Sequence, residues 1–385
     1  MSYYFEPDLS AGSFRNTALA KNLSQLAGEN VIVEVITTQP NRYKSFKDEA
    51  LSFQENGNLI INRIKVPQHA SGFKDQIFSY LTYYRAANKI AKSKKYDLVF
   101  ASSSRLFTCY LGKQIAQKNK CKLYLDIRDI FVENMEELLQ GKPLLKHIAL
   151  PIIKQFVEKV SFNAATHINL VTEGFAPYFK QFKPSNYTYF TNGIDDVFLN
   201  LHQNMGLPSM PKIIVYAGNI GEGQGLEKVI PQMGKILGDG YLIKIIGDGG
   251  TKHKLLAEIE NQQVSNVQVL SPVKRNELIS IYQNAHYLFL HLNTLKSFER
   301  VLPSKVFEYS AFNVPVIAGV SGYAAAFINE NVENSFVTNP CNATAICDYI
   351  LKTPYQNSER KNFKIKFSRQ NITNQLANSV LQYIN

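Results

Sequence analysis

The chain has 385 residues, 45% hydrophobic and 19% charged, with a formal net charge of +11. Those proportions exclude a disordered chain, and the length suits two domains better than one core. No apolar run reaches the roughly 18–20 residues of a transmembrane helix, and no charged-then-apolar leader suggests secretion.

From the N-terminus, Ser2-Tyr3-Tyr4-Phe5 reads as the end of a strand, and residues 7–12 as a loop. Ser13 is placed to cap a helix whose Phe14, Leu19, Leu23 and Leu26 fall at helical spacing. Strands follow at 31–36 and 59–61, a helix at 74–95, and a buried strand at 97–101 with Ser102-Ser103-Ser104 as its exit. A helix to about 117 leads to a strand at 121–125, which ends in Asp126-Ile127-Arg128-Asp129. Residues 144–163 form a long amphipathic helix interrupted by Pro151. Strands at 167–171 and 187–190 flank another helix, and the second ends in Thr191-Asn192-Gly193-Ile194-Asp195.

Residues 196–211, with Gly206, Pro208 and Pro211, lack a period and read as a linker between domains 1–195 and 212–369. Strand–helix alternation then resumes, with strands at 212–217, 241–246, 267–270, 287–290, 314–318 and 335–337. The fold class is α/β, with two doubly wound parallel sheets, functional loops at strand C-termini and a cleft as the default site.

The four cysteines (Cys109, Cys121, Cys341, Cys347) contain no C-x-x-C pair and read as reduced, mostly buried cytosolic thiols. His286 and His291 flank an apolar run and read as core or loop positions, not metal ligands. Between residues 74 and 122, eleven Lys/Arg oppose Asp75 and Asp97. That basic face suits nucleic acid, an anionic membrane or an anionic substrate, or is a solvated surface.

Four strand exits in the C-terminal half carry the chemistry. Gly218-Asn219-Ile220-Gly221-Glu222-Gly223-Gln224-Gly225 follows a strong strand and opens a helix, as a phosphate loop does. The glycines miss the dinucleotide spacing, and no P-loop motif exists; the bland alternative for this loop is a tight structural turn. Gly247-Asp248-Gly249-Gly250 repeats the device on the next strand, and Arg275 lies beyond the Ser271-Pro272-Val273 exit. In the stretch from Glu299 and Arg300 to Pro303, Ser304, Lys305 and Glu308, Ser304 reads as an N-cap. Lys305 lies in the first turn, and Glu308 lies three residues on, on the same face. A helix N-terminus with a lysine suits a phosphate, and the carboxylate suits sugar hydroxyls. The bland alternative is a capped core helix with a surface Lys and Glu.

In order, Tyr216-Ala217-Gly218-Asn219-Ile220-Gly221, Gly225-Leu226, Gly247-Asp248-Gly249 and Leu302-Pro303-Ser304-Lys305-Val306-Phe307-Glu308-Tyr309 resemble the donor domain of retaining GT-B glycosyltransferases of family 4. The nearest resemblance is to bacterial O-antigen and capsule transferases of N-acetylated amino sugars, including the L-fucosaminyltransferase type. Tyr4 to Gly12, Asp126 to Asp129 and Thr191 to Asp195 resemble the family's N-terminal loops.

The resemblance implies a GT-B fold, two Rossmann-like domains facing across a cleft, with a C-terminal helix of about 370–385 packed back on the first. Glu308 would hold the ribose hydroxyls, and Lys305 and Ser304 would face the diphosphate. The 218–225 loop, with Gly218, Asn219, Gly221 and Gln224, would lie along the pyrophosphate beside Gly247, Asp248 and Pro303. Gly12 would let the first loop close over the donor. Asp126 or Asp129 would serve acceptor or donor-sugar hydroxyls.

Three departures stand out. Arg300 occupies the place of the first glutamate of the family's E-x7-E pattern, with Glu299 one position off. Asn219 and Gln224 stand where relatives carry cations, so phosphate charge falls to Lys305, Arg275 or Arg300. The first strand is short, which leads us to expect either a truncated strand or a native start upstream.

The implied reaction moves a sugar from a nucleotide diphosphate sugar, most simply UDP-linked, to a lipid-linked saccharide with retention. No metal or other cofactor and no nucleic acid are expected. The basic segment 74–122 and helix 144–163 would rest on the anionic inner face of a bacterial plasma membrane. The rivals are a nucleotide-sugar epimerase of the same architecture and a non-catalytic nucleotide-sugar-binding protein.

Overall fold

A computed structural model describes every residue except 9, 42–49, 68–72, 104, 106, 139–142, 185, 200, 202–209 and 385. Leu9 of the first loop, Ser104, most of the expected linker and the side chain of Lys74 therefore lie outside the described residues. The chain divides into two compact units, Met1–Asn192 with Arg369–Asn385, and Gly193–Ser368.

The first unit holds strands β1 (Val33–Thr38), β2 (Phe53–Asn56), β3 (Leu59–Ile64), β4 (Leu98–Ser102), β5 (Lys122–Ile127), β6 (His167–Leu170) and β7 (Asn186–Thr188). They form two runs, β1-β3-β2 and β4-β5-β6-β7, parallel except for the edge strand β2. Residues 1–4 lie between the runs. The Met1 nitrogen donates to the Phe100 carbonyl at 2.8 Å, and the Ser102 N–H donates to the Met1 carbonyl at 3.1 Å. On the other side the Ser2 N–H donates to Ile36 at 3.2 Å, and the Thr38 hydroxyl to the Tyr3 carbonyl at 2.6 Å. The short first strand is thus the seam of the sheet, although too brief to register as a strand. The edge strand β2 escapes sequence reading because Gln54, Glu55 and Asn56 give it no apolar alternation.

Helices α1 (Ala11–Ala27), α2 (Phe73–Lys92), α3 (Thr108–Asn119), α4 (Phe131–Leu138) and α5 (Pro143–Ile153) alternate with these strands. The cap of α1 is Ser10, whose side chain accepts from the Ser13 N–H, so Ser13 lies inside the helix and is not its cap. The expected single helix 144–163 is not uniform: α5 passes into a π-helical turn, Lys154–Lys159, just after Pro151. Proline supplies no N–H and crowds the carbonyl four residues back, so the bonding pattern widens there. The last helix, Arg369–Leu381, belongs to the first unit, where Leu376, Ala377 and Val380 pack with Leu19, Leu23 and Tyr124.

The second unit holds β8 (Lys212–Asn219), β9 (Tyr241–Asp248), β10 (Val267–Leu270), β11 (Tyr287–His291), β12 (Val316–Gly319) and β13 (Ser335–Thr338), all parallel in the order β10-β9-β8-β11-β12-β13. Central strands read as unbroken apolar runs because both faces are covered. Residues 193–199, assigned from sequence partly to the first domain and partly to the linker, pack in this unit. The Ile194 N–H donates to Phe367 at 2.7 Å, and Phe198 lies against Tyr282 and Phe312.

Candidate functional site

The C-terminal ends of β8 and β9 lie side by side, with Gly218 opposite Gly247 and Asn219 opposite Asp248. A Cβ on Gly247 would overlap the Gly218 carbonyl oxygen, so the two glycine-rich exits share one tight backbone layer. The Ile220 N–H donates to the Asp248 carbonyl at 2.9 Å, and the Asn219 amide donates to the Gln224 side chain at 2.8 Å. Gly225 does not open an α-helix: a 3-10 turn, Leu226–Lys228, intervenes before helix Ile230–Leu237.

The loop is tied down by residues leaving β11. The Asn293 side-chain Nδ2 donates to the Glu222 carbonyl at 2.7 Å, while the Lys228 ammonium donates to Asn293 Oδ1 at 2.9 Å. His291 is fully buried; its Nε2 accepts from the Cys341 N–H at 2.8 Å, so its Nδ1 carries the proton donated to the Gln224 carbonyl at 2.5 Å. Burial lowers this imidazole to about 4, and it is neutral. His286 likewise accepts from the Ile213 N–H at 3.0 Å. Both histidines are core residues, as their flanking apolar run predicted.

The stretch that follows corrects one expectation. Ser304 has helical backbone angles and makes no side-chain cap, and the helix Lys305–Tyr309 is a single turn. It opens instead on backbone bonds, Val306 N–H to Pro303 at 3.1 Å and Phe307 N–H to Ser304 at 3.2 Å. Lys305 and Glu308 do share a face, and they meet at 2.8 Å. Tyr282, which the sequence reading did not single out, completes the group. Its hydroxyl donates to Glu308 Oε1 at 2.8 Å and accepts from Lys305 Nζ at 3.1 Å. Glu308 Oε2 has no partner among the described residues, and the side chain is 20% exposed. An ammonium has three hydrogens, so Lys305 keeps one donor for a further acceptor.

Arg275, expected at a phosphate, forms an ion pair with Asp195 and lies over the Phe198 ring, 5.0 Å from its centroid. It fastens the 193–195 turn to helix Arg275–Gln283. Glu299 is exposed, with its backbone against Gly322, and Arg300 is half-buried in the same 3-10 turn, Lys296–Arg300.

In the first unit the two aspartates part company. Asp126 is fully buried inside β5 and accepts four hydrogen bonds: Arg15 Nε at 3.1 Å, Arg15 Nη2 at 2.9 Å, Asn169 at 2.8 Å and Ser102 at 3.2 Å. Burial works against its charge, but Arg15, then Asn169, hold its carboxyl below the usual carboxylate range. With every edge occupied it has none to offer a sugar hydroxyl, which corrects its expected role. Arg15 also donates to the Thr191 and Phe190 carbonyls at 2.6 and 2.7 Å, so the pair locks α1 to the strand ends. Asp129 is exposed. Arg128 rests on Gly12, where a Cβ would overlap its guanidinium, and that guanidinium makes no hydrogen bond among the described residues.

Tyr282, Asn293 and Arg15 escaped sequence reading because their partners lie 23 to 176 residues away in the chain. Tyr282 sits three residues after Ile279 and reads as an ordinary core stripe.

The turn that carries Lys305 and Glu308 is bonded through Tyr309 to β8, the strand that with β9 ends in the two glycine-rich loops. Residues 198–368 match the family Glycosyl transferases group 1. This group 1 segment is less than half of the chain and contains Glu308, Lys305, Tyr282 and both glycine-rich loops. WcaI of Escherichia coli (strain K12), whose name assigns it to colanic acid biosynthesis as a glycosyl transferase, is 31% identical over 106 residues. That match covers 28% of this chain and only 26% of the relative. Among solved structures, WaaG, a glycosyltransferase involved in lipopolysaccharide biosynthesis, superposes with a TM-score of 0.65 at 14% identity, covering 100% of this chain and 96% of its own. HepE of Anabaena in complex with UDP-glucose gives 0.64 at 14% identity and 99% of both chains. These likenesses give the fold as GT-B, with two Rossmann-like domains.

Proposed function

We propose that the protein is a retaining glycosyltransferase that moves a sugar, in our reading an N-acetylated amino sugar, from a UDP-linked donor to a lipid-linked saccharide of O-antigen or capsule biosynthesis. The observation that carries this reading is Glu308: one carboxylate oxygen is held by Tyr282 and Lys305, and the other is open to accept from ribose hydroxyls. Lys305 then bridges that carboxylate and a diphosphate oxygen with its remaining hydrogen. The paired 218–225 and 247–250 loops supply close backbone approach. Transfer with retention asks for a stabilised leaving diphosphate rather than a strong protein base, and the reading requires no metal. The group 1 match, and relatives named for lipopolysaccharide and colanic acid synthesis, support it.

The acceptor surface in this reading lies on the first unit. Helix α2 exposes Ile77, Phe78 and Leu81, and α5 exposes Ile148 and Ile152, amid lysines. Such faces suit a peripheral position on the inner leaflet of a bacterial plasma membrane. Among the described residues no helix is long and apolar enough to cross a membrane.

The test is sugar transfer from a panel of UDP-sugars to lipid-linked acceptors, with and without EDTA, in wild type and Glu308→Ala. We expect metal-independent transfer with retained anomeric configuration, lost at least a hundredfold in the variant. Donor epimerisation without acceptor, or binding with neither transfer nor hydrolysis, would replace this reading.

A further inference from the structure

Glu308 is not free to choose which oxygen it presents. The Lys305–Tyr309 turn is anchored to the end of β8, where the Tyr309 hydroxyl accepts from the Ala217 N–H at 2.9 Å. Tyr282 comes from the separate helix Arg275–Gln283 and is fully buried. Three aromatic rings fix it: Tyr309 at 5.5 Å edge-on, Phe312 at 5.3 Å edge-on and Phe198 at 6.5 Å. A ring so enclosed delivers its hydroxyl to one point. Both the Tyr282 hydroxyl and the Lys305 ammonium reach that point, and both donate to Oε1, at 2.8 Å each. Burial first, then the Glu308 charge, pushes the phenol well above its ordinary range, so it stays a donor.

We infer that Tyr282 is a positioning residue, setting the Glu308 carboxylate so that Oε2 is the single acceptor offered to the vicinal hydroxyls of a nucleotide ribose. This rests on the reading above, in which Glu308 holds the ribose. The ligand class is a ribonucleoside diphosphate whose 2′ and 3′ hydroxyls both carry hydrogens. Without the phenol, Oε1 keeps only the flexible lysine, and the carboxylate rotates among several poses. Ribose recognition then weakens while the contacts to base and phosphate remain.

The experiment is titration calorimetry of UDP and of 2′,3′-dideoxy-UDP against wild type, Tyr282→Phe and Glu308→Ala. Tyr282→Phe keeps the aromatic cage and removes only the hydroxyl. We expect wild type to prefer UDP, Tyr282→Phe to weaken UDP about tenfold, and the dideoxy analogue to change less than twofold. Equal weakening of both ligands, no weakening of either, or loss of near-UV circular dichroism in Tyr282→Phe would overturn the positioning role. If wild type has no preference, or Glu308→Ala keeps it, the ribose reading itself fails. If Glu308→Ala abolishes the preference and Tyr282→Phe retains it, only the role of Tyr282 fails.

Discussion

Gly247 faces Gly218 across paired strands so closely that the Gly218 carbonyl oxygen occupies the space a Cβ on Gly247 would need. The obstacle is backbone, not a side-chain tip that can swing away. Gly247→Ala must therefore separate β8 from β9 at the ends that carry both loops. We expect a loss of about 1–3 kcal/mol in urea unfolding. Gly250→Ala, where an added Cβ meets nothing within 4 Å, should be near neutral.

The Arg15–Asp126 pair is enclosed on all sides, so removing one partner strands the other's charge. Arg15→Met should cost about 3–5 kcal/mol. The carboxyl of Asp126 is depressed in the folded state, so its contribution is complete above the unfolded value of about 3.9 and is lost as pH falls below it. Acid titration of stability should show that limb in wild type and a flatter one in Asp126→Asn.

Glu158 behaves oppositely. It is buried in the π-helical turn and accepts from Tyr178, and burial raises it to about 7 against the opposing effects of Tyr178 and Lys154; Glu133 adds to the rise. The unfolded chain releases this proton first, near pH 4.3. Stability should therefore fall between about pH 4.3 and 7 and level off above, by about 3–4 kcal/mol. In Glu158→Gln that decline should vanish, as thermal unfolding at pH 5 and pH 8 would show.

The proposed membrane contact can be tested separately from folding. Lys94 pairs with Glu34, and Lys146 pairs with Glu136, so reversing either charge also disturbs an internal bond. Lys92 and Lys95 are exposed. Reversing those two should release the protein from anionic liposomes in cosedimentation. Phe78→Ser on the exposed face of α2 should weaken binding further without a change in salt dependence. Unchanged sedimentation of both variants would place the acceptor surface elsewhere.

Much of this architecture was legible because parallel strands buried on both faces announce themselves locally. The strand Tyr287–His291, buried at every position, was expected at 287–290, and Lys305 was expected to share one helical face with Glu308, as it does. What stayed hidden depends on distant partners. Ser304 has the chemistry of a cap, but the single turn after Pro303 closes on backbone carbonyls instead. Asp126 looked available at a strand exit, and only the fold brings Arg15 and Asn169 to it. Arg275 looked like a phosphate cation until Asp195, 80 positions earlier, met it.

The helix Arg369–Leu381 lends Leu376, Ala377 and Val380 to a core whose other members include Leu19, Leu23 and Tyr124. During synthesis on a ribosome, the unit that emerges first is therefore the one that closes last. The second unit, continuous from Gly193 to Ser368, has all its residues before that helix is made. Until then α1 presents a bare apolar stripe, and a chain arrested near residue 368 would carry a complete second unit and an incomplete first, a natural substrate for chaperones and proteases.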